Sequence, residues 1–463
     1  MLHNQLHAEN PLGTKPVGSL LKKFAIPSIV AMLVGALYNI VDQFFIGQKI
    51  GELGNAATNV AFPLTTSCVA IALLLGIGGA SAFNLALGEG DKKRAVYYVG
   101  NAVTMLLILG TALSIITQIL LTPMLKFFGS PDKVLDYART YTRITSLGFP
   151  FLILSNGSGH LIRADGSPKY SMLCNLSGAV INAILDPIFI FALDMGMAGA
   201  ALATVIGQVI SFLLAVRYMC RYKTVTIARH HLIPRRKYTA RILSLGAAPA
   251  FNQAAMMVVQ IVMNKSLAFY GALSVYGESI PLACSGIINK VNMVFFSVII
   301  GISQGMQPIV SFNYGARQYD RVKSVYKLAI RSGFIASVTA FLLFQLIPRQ
   351  IISLFGAGTE QYFGFAVSYF RIYLFFTFIN CIQPISSNFF TAVWKPKKGV
   401  FLSLTRQIIF LLPLIIIFPL FMGIDGIMYA GPVADFLAAA VSGALIISEF
   451  RNMGKHPLSI RPD

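Results

Sequence analysis

Residues 27–47 read PSIVAMLVGALYNIVDQFFIG, and this stretch decides the fold class. It holds one charged side chain, Asp42, in 21 residues. A helix on a soluble protein needs a polar face, whereas a helix crossing a bilayer needs roughly 20 predominantly apolar residues and no such face. The rest of the chain repeats the pattern. Its 463 residues are 56% hydrophobic and 12% charged, with a mean hydropathy of +0.70. Soluble domains carry roughly 25% charged residues. This chain lacks the groups to solvate its own surface, so that surface must face lipid.

Working outward from the first run, apolar spans are expected over residues 24–46, 58–87, 95–122, 140–163, 170–193 and 198–220. A second set is expected over 243–270, 281–309, 322–347, 363–392, 398–421 and 427–449. The fold class is therefore an all-α membrane protein of twelve transmembrane helices. Prolines inside the spans (Pro27, Pro150, Pro187, Pro308, Pro384, Pro413) are tolerated where neighbouring helices satisfy the freed backbone groups.

The net charge of +20 raises nucleic acid as a partner, but the cations sit in short clusters between apolar runs. The termini and even-numbered connections carry 21 Lys and Arg, the odd-numbered connections 5, and 11 lie within spans, mostly at their ends. Such a bias sets orientation. It places both termini in the cytoplasm, with the lipid bilayer of the cell inner (plasma) membrane as partner and no nucleic acid. The domains expected are a first six-helix lobe over 1–220, a basic cytoplasmic linker over 221–242 and a second lobe over 243–463. The linker region, Arg217 to Arg241, also has the charge to meet lipid headgroups. Met1 to Gly18 show no basic-then-apolar leader with a cleavage site, and five scattered cysteines make no disulfide or metal pattern.

The halves read as an internal repeat. Pro168-Lys169 matches Pro396-Lys397, Leu185-Asp186-Pro187 lines up with Leu411-Leu412-Pro413, and Gly196-Met197-Ala198-Gly199 with Gly423-Ile424-Asp425-Gly426, at offsets of 226 to 228. Six spans per half make a parallel repeat. Repeats of this kind place a substrate site at mid-membrane between them.

Ionisable residues inside a bilayer are expensive and mark function by default. Asp42 follows Asn39 by three residues on one helix face, and Asn175, Asn182 and Asp186 share a face of the fifth span. Thr204 and Gln208 lie four apart on the sixth. Two carboxylates with amides and a hydroxyl form an oxygen-rich set suited to a sodium ion or to protons. The second half carries amides instead, Gln253, Gln260, Asn289, Asn380 and Gln383 among them, with Lys265, Lys290, Arg371 and Arg406 inside spans. Asp435 is a second candidate proton site, and Glu278 reads as an outer-loop residue. Met256, Met293 and Phe296 with Gln253 and Asn289 are candidates for an adaptable substrate wall, since Met-rich surfaces re-pack around varied ligands. No G-x-x-x-x-G-K-[ST] loop, H-E-x-x-H or hydrolase elbow occurs, which argues against an ATP-driven pump and against an enzyme.

Several of these stretches resemble the MATE (multidrug and toxic compound extrusion) family. They are Pro27 through Gly47, Gly88-Glu89-Gly90-Asp91, Arg163 through Lys169, and Asn182 through Pro187 followed by Gly196 to Gly199. The resemblance is to the bacterial MepA-like branch within the DinF-like group. It implies a V-shaped pair of six-helix bundles around a central cavity, exporting drugs, dyes and biocides in exchange for sodium or protons, without a cofactor and as a monomer. It also implies ion coupling at Asp42, Asn182, Asp186 and Thr204, with Tyr141 and Asn156 of the fourth span as weaker matches. A rival within the wider superfamily is a lipid-linked sugar flippase, which would want cations lining its cavity.

Overall fold

A computed structural model describes residues 10–277, 279–355 and 359–454. Glu278 lies outside them. The described residues form helices joined by turns, with no β-strand among them. Eleven helices are long and apolar enough to cross a membrane. The expected fourth span is present as two helices, Asp132–Leu147 and Phe149–Ala164, of 16 residues each. The joint falls at Gly148, two residues before Pro150. Pro150 has no N–H to give the carbonyl four residues back, and the Gly148 N–H turns instead to the Thr145 and Ser146 carbonyls. Taken together the two segments span about 50 Å at 1.5 Å per residue, which makes twelve spans.

The other spans are Val17–Ile50, Glu52–Gly88, Lys92–Ile119, Pro168–Pro187, Gly196–Met219, Arg236–Ala272, Ser279–Gly315, Tyr319–Leu346, Glu360–Tyr373 continuing into Ile382–Ala392, Pro396–Met422 and Ile424–Asn452. Both fifth spans of the repeat loosen into a π-helical turn, Ile188–Ala192 directly after Pro187 and Thr405–Leu411. Such turns re-satisfy a helix interrupted by a missing donor or an inserted side chain. The tenth span is interrupted by a 3₁₀ turn at Phe375–Ile379, just ahead of Pro384.

The backbone repeats as the sequence does. Left-handed conformations occur at Gly90 and Arg317, at Gly166 and Trp394, and at Gly196 and Gly423, pairs 227, 228 and 227 residues apart. Glycine adopts such a conformation freely, whereas arginine and tryptophan do so at a steric cost. The turns are therefore kept even where the residue type is not. The ends of the lobes are latched in a matching way with exchanged charge. In the first half, Asp165 accepts from Tyr218 Oη at 2.8 Å, Lys223 N at 2.8 Å, Thr224 N at 2.9 Å and the Thr224 hydroxyl. In the second, buried Glu449 on the last helix takes Lys395 and Lys398.

By packing, the described residues fall into two compact units. One holds Lys23–Leu87 and Asp91–Ala254; the other holds the residues before Lys23, Gly88–Gly90 and those from Ala255 onward. The division thus falls inside the seventh helix, and its first half packs with the first unit. Close backbone contact explains this. A Cβ on Gly246 would sit 1.7 Å from the Leu74 carbonyl oxygen, and one on Gly78 would sit 2.0 Å from that of Ile242. The second and seventh helices cross where only glycine fits, the small-residue contact by which membrane helices approach. Gly246→Ala is expected to push them apart at a cost of about 1–3 kcal/mol or more. A lowered melting temperature of the detergent-purified protein checks this, against Gly443→Ala, where a Cβ meets nothing within 4 Å.

Candidate functional site

The polar cluster of the first unit is assembled from four helices. The first supplies Tyr38 and Asp42. On an α-helix, residues four apart lie about 40° around the axis from each other and residues three apart about 60° the other way. Tyr38 therefore shares the Asp42 face more closely than Asn39 does. The structure follows that geometry: Asn39 is exposed and its amide donates to the Gly35 carbonyl at 3.2 Å, away from the cluster. The fifth helix brings Asn182 and Asp186, the sixth Thr204, and the fourth Tyr141.

Asn182 Nδ2 donates to Asp186 Oδ1 at 3.3 Å and to Thr204 Oγ1 at 3.3 Å. The Asp42 and Asp186 carboxyl groups face each other within hydrogen-bond reach. The hydroxyls of Tyr38 and Tyr141 both reach Thr204 and lie beside both acids. All four central residues are buried: Asp186 is 0% exposed, Asn182 2%, Asp42 6% and Thr204 8%. Three oxygens in this pocket, Asp42 Oδ1, Asp186 Oδ2 and Asn182 Oδ1, have no donor among the described residues. Buried acceptors left without a donor are costly. Oxygen atoms alone, two of them from carboxyl groups, suit a proton or a hard monovalent cation.

An apolar layer closes one side of the pocket. Four residues on from Asp42 is Ile46, four on from Asp186 is Ile190, and four before Thr204 on the oppositely running sixth helix is Ala200. All three are 0% exposed and belong to one cluster with Leu125 and Ala138, against which Tyr141 packs. The layer lies at the end of the unit away from the basic linker.

The remaining expected residues are spread more widely. Asn175 and Asn156 are half-buried, and no described hydrogen bond ties either to the acids. Gln208 Oε1 is buried without a donor against Gly148, where a Cβ would come within 2.2 Å of it. The glycine at the break in the fourth span is what admits that side chain. Gln253 is half-buried, Met256 and Met293 are exposed, and Phe296 lies under the Arg406 guanidinium at 6.0 Å. Asn289 donates to Gln260 at 3.1 Å, and Gln260 donates to Asn264 at 2.9 Å.

Asp435 is not a free acid. Its Oδ1 takes Arg406 Nε at 2.5 Å and its Oδ2 takes Asn380 Nδ2 at 2.8 Å. Tyr373 reaches the same guanidinium. Arg406 was legible only as a cation inside a span; its partner lies 29 residues away on another helix. Tyr38 is the residue that sequence reading passed over. The available signal was its four-residue spacing from Asp42.

These helices and their repeated halves define a multi-pass α-helical membrane protein with a buried carboxyl pair in its first unit. The MatE family model matches residues 27–188 and 250–417, one segment in each half, and the chain belongs to the MatE family. Among curated proteins it is 25% identical to the multidrug export protein MepA of Staphylococcus haemolyticus, over 92% of both chains. To the protein of that name from Staphylococcus aureus strain N315 it is 23% identical, over 93% of this chain and 94% of the other. Among solved structures it superposes on a multidrug resistance MATE family transporter of the MOP superfamily in an outward-facing conformation, with a TM-score of 0.89 and 23% identity over 98% and 99% of the two chains. A MOP superfamily transporter from Pyrococcus furiosus, described as having a binding pocket of reverse polarity, gives a TM-score of 0.87 at 23% identity over 97% and 99%.

Proposed function

We propose that this chain is a secondary multidrug exporter that moves lipophilic, often cationic compounds out of the cell in exchange for protons or sodium ions. The observation that carries this reading is the buried set Asp42, Asn182 and Asp186 with three oxygens lacking donors. Two carboxyl groups in contact are satisfied by a shared proton or by a cation between them. Thr204 and the two tyrosine hydroxyls complete an oxygen shell around that cation. The names of the relatives, multidrug export proteins, supply the cargo class.

The coupling ion enters from outside past the apolar layer at Ile46, Ile190 and Ala200, and drug and ion favour opposite-facing states. Without that difference in affinity neither could drive the other. The protein works without a cofactor, as a monomer in the plasma membrane, with both termini cytoplasmic. Its lobes are residues 1–220 and 243–463, joined by the basic linker 221–242. Asp435, paired with Arg406, has a structural role rather than a coupling one.

The test is ethidium efflux from vesicles under separately imposed sodium and proton gradients. Export driven by one of the two gradients is the expected result and names the ion. No dye movement under either gradient overturns the reading. It would turn attention to the flippase alternative, for which the exposed Lys265 and Lys290 on the seventh and eighth helices supply the cations.

A further inference from the structure

A group of lysines outside any described ion pair lies at the linker end of the first unit. There the linker folds back onto the third helix. Asn101 Nδ2 donates to the His231 carbonyl at 3.2 Å, Arg235 N donates to Asn101 Oδ1 at 2.6 Å, and Thr104 Oγ1 donates to the Leu232 carbonyl at 2.7 Å. Tyr97 stacks on Tyr238 with ring centroids 5.0 Å apart and meets His231 edge-on at 4.8 Å. This stapling leaves a cavity of about 500 Å³ between the first turns of the third helix and linker residues 223–231.

Its charged lining is of one sign. Lys92, Lys93 and Lys223 face it beside the His230 and His231 rings, and no acid does. Two acids close to these residues in the chain are engaged elsewhere. Asp91 caps the third helix through Arg94 N and pairs with the Arg94 side chain, and Asp165 is filled by the four donors of the latch. Among the described residues Lys92, Lys93 and Lys223 make no ion pair; Lys223 Nζ donates only to the neutral Ser167 hydroxyl, at 2.8 Å. His231 Nδ1 accepts from Ala228 N at 3.0 Å, so its ring proton sits on Nε2, available as a donor. The start of the 28-residue third helix is already capped by Asp91, so the cavity's own side chains carry the site.

We propose that this cavity binds a phosphate-bearing anion, supplied by an anionic phospholipid headgroup or by a soluble phosphate. Three ammonium groups and an imidazole N–H in one concave wall match an oxyanion with several acceptor oxygens. A cavity of this size at the membrane end of a transmembrane helix is also within reach of a headgroup. The occupant joins the third helix to the linker that connects the two halves.

The experiment uses the purified full-length chain and two ligand arms. One titrates short-chain phosphatidylglycerol against phosphatidylcholine; the other titrates inorganic phosphate. Both read thermal stabilisation. Saturable stabilisation in one arm identifies the source, and Lys92→Gln with Lys93→Gln is expected to weaken it by about tenfold or more. The charge-matched control, Lys126→Gln with Lys133→Gln on other exposed lysines of the same unit, should leave it unchanged. Each double variant should retain the melting temperature and ethidium efflux of the parent without added ligand, which separates this site from the coupling site. No saturable stabilisation in either arm overturns the proposal, as does equal weakening by the two double variants.

Discussion

Asp186→Asn reduces gradient-driven ethidium efflux by roughly tenfold or more, within the roughly 5- to 150-fold range spanned by coupling free energies between sites. The substitution keeps the volume of the side chain and an oxygen to accept from Asn182, so the helix contacts at 3.3 Å remain available. What it removes is an ionisable carboxyl group. With only Asp42 left, the pocket loses one of the two carboxyl groups that face each other and one of its three oxygens without a donor. A proton or sodium ion then has a weaker reason to enter, and the gradient no longer drives the change of state. Equilibrium ethidium binding to the purified variant should stay near the parent value, which distinguishes lost coupling from misfolding. Asp42→Asn should behave the same way. Normal export by both variants under either gradient would remove the first-unit acids from the mechanism.

Asp435→Ala is expected to be the most destabilising single substitution in the second unit. Asp435 is 2% exposed and the Arg406 side chain 12%, so deleting the acid strands a guanidinium among Phe296, Tyr373 and the bilayer-facing helices. Removing one partner of a buried ion pair costs about 3–5 kcal/mol. In a unit of this size that corresponds to a fall in melting temperature on the order of 10 °C. The companion experiment replaces both partners, Asp435→Leu with Arg406→Met. Exchange of a buried pair for apolar residues of similar volume is often neutral, so the double variant should regain most of the loss and still export ethidium. A single variant as stable as the parent would show that the pair does not hold these helices together. A stable double variant that has lost coupling would instead assign Asp435 a part in transport.

The difference between the two units is the main lesson for the mechanism. The repeat preserves the left-handed turns at Gly90 and Arg317, Gly166 and Trp394, and Gly196 and Gly423. It does not preserve the chemistry between them. In the first unit two acids face each other without a cation, an arrangement that invites one. In the second, the acid already has its cation in Arg406. Symmetry of backbone with asymmetry of charge is what the proposed coupling in the first unit rests on.

Much of this was legible in the chain itself. Apolar length and scarcity of charge dictate the membrane class, because every residue in a bilayer obeys the same solvent and a run of about 20 is read locally. The repeat was legible because Pro and Gly mark turns one residue at a time. Asp42, Asn182, Asp186 and Thr204 stood out because a polar group in hydrocarbon is costly wherever it sits. Convergence was a different matter. Whether Asn39 or Tyr38 faces the acids depends on how the first helix is rotated against the fourth, fifth and sixth. That Asp435 is neutralised depends on a helix packing 29 residues away in sequence. The placement of Gly246 against Leu74 depends on a crossing point between the second and seventh helices. Local pattern sets what each helix is; only packing between helices, summed over many weak contacts, decides which of its faces meets which partner.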